Sequence, residues 1–246
     1  MNNNNNNNKR PINIGLFWDQ LWRQVHSSKE PALWDVPPSL AVVQDYQIFQ
    51  DVFSPELPIL DIGCGSGIQT GYLGSIYSKV YGVDASKKAI AAAQKLNAQS
   101  KMTFELLNLL DRESVRAFYE KSGDTNIYLR GVLHQIPKEH RSSFVNQLKV
   151  LMGNTGSIYL IETAPNIQVY IQALAENFSE LPILLKSVLT SHFPPIGVSL
   201  EEINGWFGSD KFKILNAGNS NLKTNLILEN GKHIELPAVY ALIKTT

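Results

Sequence analysis

Apolar residues fall along this chain in two rhythms: short blocks bounded by turn residues, and longer stretches spaced for one face of a helix. Trp18, Leu21, Trp22 and Val25 share such a face. Pro37-Pro38 closes that segment, and residues 40–53 predict a second helix. A short apolar run ending at Leu60 predicts the first strand, followed by a glycine turn and a helix over 69–76. Residues 79–84 predict a second strand, after which Ser86 caps a helix over 87–97. The alternation continues with a strand at 102–108, a helix at 112–121, a strand from 126 with its loop running to 137, a helix at 140–152 and a strand at 157–163. Strand and helix in strict turn predict an α/β fold around a mostly parallel sheet.

Two later regions break the alternation. Residues 166–196 hold two apolar-faced helical stretches, 167–178 and 182–189, followed by His192-Phe193-Pro194-Pro195. They predict an inserted helical lid, with the lone His192 read as structural. After a Ser199-capped helix, residues 212–215 predict a sixth strand. The flanks 222–228 and 233–236 around Glu229-Asn230-Gly231 predict a hairpin, and 238–243 a closing strand.

At 246 residues the chain suits one domain with a sizeable core, divided into a tail over 1–13, a cover over 14–53, the sheet and the lid. Asn2 to Asn8 is a polar homopolymer that cannot bury apolar surface, so disorder is expected there. Lys plus Arg and Asp plus Glu both number 22, and no basic stripe of the kind that tracks a phosphate backbone stands out. No apolar run approaches the ~20 residues of a membrane span. Cys64 is the single cysteine, which excludes an intramolecular disulfide and suits a reducing compartment. The expectation is a cytoplasmic protein, monomer or homodimer, with a small-molecule substrate and neither nucleic-acid nor membrane partners. No metal-ligand spacing appears.

The chemistry concentrates at Asp61-Ile62-Gly63-Cys64-Gly65-Ser66-Gly67, between an apolar strand and a helix. Glycines there let a ligand approach backbone closely. A dinucleotide turn places glycine at its first, third and sixth positions, whereas the sixth here is Ile68 and the third glycine comes fifth. Asp61, two residues before the first glycine, would repel a pyrophosphate and attract a cationic amine. Asp84 ends the second strand, 21 residues after Gly63, where a carboxylate can accept bonds from ribose hydroxyls. S-adenosylmethionine (SAM), with an amine, a sulfonium and no phosphate, fits this set better than NAD does.

The turn, followed by Val80-Tyr81-Gly82-Val83-Asp84-Ala85-Ser86, closely resembles the first two motifs of class I SAM-dependent methyltransferases, a likeness extending over residues 58–163. The resemblance implies a Rossmann-like sheet of seven strands with helices on both faces, an antiparallel last strand and helical lid elements. It implies methyl transfer from SAM to an oxygen or nitrogen of a small molecule. The alternatives are a non-catalytic SAM-binding or partner protein, a methyltransferase acting on protein, and a dinucleotide-dependent oxidoreductase that the glycine spacing disfavours. By the same likeness, Asp61, Gly63, Cys64, Gly65 and Gly67 would hold the methionine end, Asp84 and Ala85 the ribose, and Asn108 and Leu109 the adenine. Asn108 stands where the family often has an acid, and Asp111 is its neighbour and rival. Arg130 would pair with the cofactor carboxylate, a substrate carboxylate or an internal acid. His134, in a Leu-His pair after the fourth strand, is a candidate general base or a packing residue. Glu162 is a candidate substrate contact or a loop support. Trp18, Trp22 and Trp34 would cover the cofactor, enclose the substrate or simply cap the sheet.

Overall fold

The computed structural model describes residues 14–28, 32–175, 196–227 and 231–246. The expected tail, the 182–189 stretch and His192 lie outside these residues. In chain order the elements are α1 (Ile14–Ser28), α2 (Val42–Phe49), β1 (Ile59–Ile62), α3 (Ile68–Ile76), β2 (Val80–Asp84), α4 (Lys87–Leu96), β3 (Thr103–Leu106) and α5 (Arg112–Ser122). Then come β4 (Asn126–Arg130), α6 (Lys138–Met152), β5 (Ser157–Thr163), α7 (Ile167–Ala175), α8 (Leu200–Phe207), β6 (Phe212–Ile227) and β7 (His233–Thr245). Single 3-10 turns stand at Pro38–Leu40 and Leu133–Gln135. No helix among the described residues is long and apolar enough to cross a membrane.

The seven strands order as β3-β2-β1-β4-β5-β7-β6. β1 to β5 run parallel, and β7 inserts antiparallel between β5 and β6. The winding direction reverses between β1 and β4, so a crevice opens at the carboxyl ends of those two strands. Side-chain alternation assigns the faces. Leu60, Ile62, Ile127, Leu129, Ile158 and Leu160 pack with α5, α6 and α8. Ile59, Tyr128, Tyr159 and Ile161 pack with α2 and α3 on the other side. Asp61 and Arg130 alternate with the first set, which turns them toward α2 and α3.

Two boundaries differ from expectation. The stretch 40–53 is a 3-10 turn followed by the shorter α2, because Ala41 leaves helical geometry at φ −138°, ψ −101°. The sixth strand and the first hairpin arm form one continuous β6 of 16 residues, with an irregularity between Ile214 and Asn216. Thr163 at the end of β5 pairs with Ala238. The β6–β7 ladder runs on past it, from Asn221 opposite Pro237 to Ile227 opposite His233. The hairpin therefore projects beyond the sheet edge, over the crevice.

Candidate functional site

A cavity of about 210 Å³ fills that crevice. Its floor is the glycine turn with the ends of β1, β2 and β4. Its walls come from α1, α7, the segment after α1 and the projecting hairpin. Asp61, Gly63, Cys64, Gly65, Asp84, Ala85, Asn108, Leu109, Arg130, His134 and the three tryptophans all line it.

Asp61 is buried on β1 and accepts a bond from the Thr70 hydroxyl of α3 at 2.5 Å. Burial, reinforced by Asp84, lifts its carboxyl to about 7. Asp84 accepts from the Ser86 N–H at 2.8 Å and the Gly65 N–H at 3.2 Å. Burial still lifts it to about 6. Two carboxyls held this far up, in a cavity walled mainly by carbon, call for a ligand with cationic and hydroxyl donors. Gly65 has φ +56°, a backbone that favours glycine, and a Cβ on it would crowd the Trp22 ring at 3.3 Å. Burial raises the Cys64 thiol well above its ordinary value, which makes it an inert lining group.

Arg130 lies in a buried polar patch on the α2 side. Its Nε is 3.9 Å from Asp45, its Nη2 donates to the Lys223 carbonyl at 3.4 Å, and Nε has no hydrogen-bond partner among the described residues. Asp45 is occupied by the Tyr128 and Tyr159 hydroxyls at 2.6 and 2.8 Å. Of the three roles open to Arg130, an internal acid is thus present at long range, while the guanidinium keeps capacity for a second carboxylate.

The chain matches the model of a methyltransferase-domain family over residues 59–156. A SAM-dependent methyltransferase from Anabaena variabilis ATCC 29413 is 34% identical, with 96% of each chain covered and a TM-score of 0.89. The chain belongs to the SAM-dependent methyltransferases. Its cofactor is SAM. Two more distant structures share the fold at 16% identity. One is magnesium protoporphyrin IX methyltransferase from Synechocystis PCC 6803 with bound S-adenosylhomocysteine (SAH), covering 94% of this chain and 96% of that one at a TM-score of 0.58. The other is described for the conversion of a disulfide bond into a thioacetal group during echinomycin biosynthesis, covering 94% and 93% at 0.68. No curated protein sequence matches the chain.

Two expected site residues of this methyltransferase stand behind the cavity wall. Gly67, at φ +79°, begins α3 where a Cβ would meet Asn97 at 2.8 Å and Phe104 at 2.9 Å; it serves the packing of α4 and β3 against the turn. Glu162 is fully buried. Its carboxylate accepts the N–H groups of Val132, Leu133 and His134 at 3.0, 2.8 and 3.1 Å and bonds His134 Nδ1 at 2.7 Å. With every lone-pair direction engaged, Glu162 holds the loop after β4 and orients His134. That bond assigns the proton of neutral His134 to Nδ1 and leaves Nε2 as an acceptor, which Gln135 Nε2 meets at 2.7 Å. Asn108 Oδ1 accepts from its own loop, at Leu110 N–H, 3.0 Å away. Asp111 caps α5 and does not line the cavity.

The tryptophans divide by exposure. Trp22 is buried against Val25, Ala32 and Ala89. Trp18 and Trp34 meet edge to face at 5.3 Å. Several lining groups carry no motif signal: Asp35, Gln69, Gln135 and the hairpin residues Leu222, Thr224, Leu226, Ile234 and Leu236. Asp35 stood within the Trp34-Asp35 dipeptide, and only an acid beside an aromatic cover hinted at it.

Proposed function

We propose that this enzyme methylates an oxygen or nitrogen of a small molecule, a metabolite or natural product. One observation carries the reading. Beyond the glycine turn the cavity is walled by Trp18, Phe144, Ile167, Ile171, Leu226 and Ile234, an apolar enclosure supplied by five separate elements. Such a chamber suits a compact substrate better than a residue on a folded protein surface.

SAM supplies a methyl already activated by its sulfonium. The chain's own residues bind, align and exclude water. Asp61 would hold the ammonium, Asp84 the ribose, Asn108 and Leu109 the adenine, and Arg130 a carboxylate. His134 Nε2 accepts the proton of a hydroxyl nucleophile once Gln135 gives way, while Glu162 keeps the imidazole in the tautomer that has this lone pair.

The test is methyl-labelled SAM incubated with the enzyme and a cell extract, then separated into small-molecule and protein fractions. Label in the small-molecule fraction supports the proposal. Label in precipitated protein overturns it in favour of a protein substrate. No label in either fraction, with SAH binding intact, turns the reading to a non-catalytic binder.

A further inference from the structure

The cover carries a third carboxylate that neither the glycine turn nor the first two motifs explain. We propose that Asp35 is a cofactor-binding residue that accepts a hydrogen bond from a ribose hydroxyl of SAM, on the side of Gly65 opposite Asp84. The inference rests on the cofactor and is independent of the methyl acceptor.

Gly65 fixes the geometry. Its N–H points to Asp84 Oδ2 at 3.2 Å. The position a Cβ would take on it lies 3.7 Å from Asp35 Oδ1 and 3.6 Å from Trp34 Nε1. All four residues line the cavity, so an acceptor and an N–H donor from the cover stand over the turn where Asp84 bounds it.

The backbone that presents Asp35 is firmly tied. The Asn225 N–H of β6 donates to the Leu33 carbonyl at 2.8 Å, and its side-chain amide donates to the carbonyls of Ala32, at 2.8 Å, and Asp35. Gln69 of α3 donates to the Val36 carbonyl at 2.7 Å and accepts from the Val42 N–H at 3.3 Å. Two elements remote in sequence thus hold this loop, yet among the described residues the Asp35 carboxylate accepts no backbone N–H. Other acids of the fold are engaged by several partners. Asp45 takes two tyrosine hydroxyls, and Asp124 takes the N–H groups of Asn154 and Thr155 at 2.9 and 3.0 Å. Beside Asp35, the Ser66 hydroxyl is nine-tenths buried and favours the ionised form of that carboxylate.

Burial and the nearby Asp84 lift Asp35 to about 6. A diol placed between the two carboxylates would donate to both and relieve that opposition.

The experiment is calorimetric titration with SAH and with its 2′-deoxy and 3′-deoxy ribose analogues, on the wild type, Asp35→Ala and Asp35→Asn. In the wild type, losing the hydroxyl that faces Asp35 should weaken binding about tenfold. Asp35→Ala should weaken SAH about tenfold and leave the affinity for that one analogue unchanged, while the isosteric Asp35→Asn, whose amide oxygen still accepts, should lie between. If both analogues lose as much affinity in Asp35→Ala as in the wild type, Asp35 does not touch the ribose and the proposal falls. Unliganded Asp35→Ala should melt no lower than the wild type at neutral pH. A large drop in melting temperature shared by Asp35→Asn would assign Asp35 a structural role and overturn the proposal.

Discussion

At the scale of single residues, the proposed mode of cofactor binding sets two cavity-lining acids, Asp61 and Asp84, against the ligand. Asp84→Ala should weaken SAH binding by about 2 kcal/mol or more, read by calorimetry, because hydrogen bonds to a charged acceptor are lost. The pH dependence follows from the raised carboxyls. Asp61 near 7 and Asp84 near 6 are partly protonated in the free enzyme below neutrality, whereas an ammonium and a diol favour their ionised forms. SAM affinity should therefore rise from pH 5.5 to 7.5, and binding near pH 6 should release protons, measurable by calorimetry in buffers of different ionisation enthalpy. These two acids were legible in the sequence because a strand end followed by a glycine turn is a local pattern. Glu162 was legible as a rim residue with two possible roles, substrate contact or loop support, but not which of them. Its partners are N–H groups some thirty residues upstream, joined to it by the β4–β5 pairing, and no local pattern encodes that meeting. Glu162→Gln should lower kcat with little change in SAH affinity, since it unseats His134 and leaves the glycine turn alone.

Among the elements, the buried side chain of Arg141 on α6 joins two loops. It donates to the carbonyls of Ile136, Gly197 and Ile196 and to Glu202 of α8, so the loop after β4 and the segment leading into α8 share one anchor. Arg141→Met should destabilise the fold by about 3 kcal/mol in urea titration, because the carbonyls of Ile136, Ile196 and Gly197 lose a charged donor. The parallel strands were legible from their apolar blocks, and α8 from its Ser199–Glu202 capping box, which is present. β6 was not. Its middle, Asn216 to Asn221, is polar and mostly exposed, so the apolar rhythm stops while the ladder to β7 continues. Backbone pairing, blind to side-chain type, carries the strand across.

Across the whole molecule, the carboxyls of Asp35, Asp45, Asp61 and Asp84, all raised by burial, make the unliganded fold lose stability as pH rises from about 4 toward 7, where the folded state holds more protons than the unfolded one. Melting temperature without cofactor should increase from pH 7.5 to 5.5, and saturating SAH should flatten that slope. Asn225→Ala removes the amide bonds that tie the hairpin to the cover, and should speed SAH dissociation about tenfold, followed by stopped-flow tryptophan fluorescence. The strand order has a consequence for self-association. β6 stands at the edge of the sheet, paired to β7 on one side and to no strand among the described residues on the other. A long open edge invites edge-to-edge pairing. The run of asparagine, glycine and serine in its middle reads, in that light, as protection for a strand that keeps one side open.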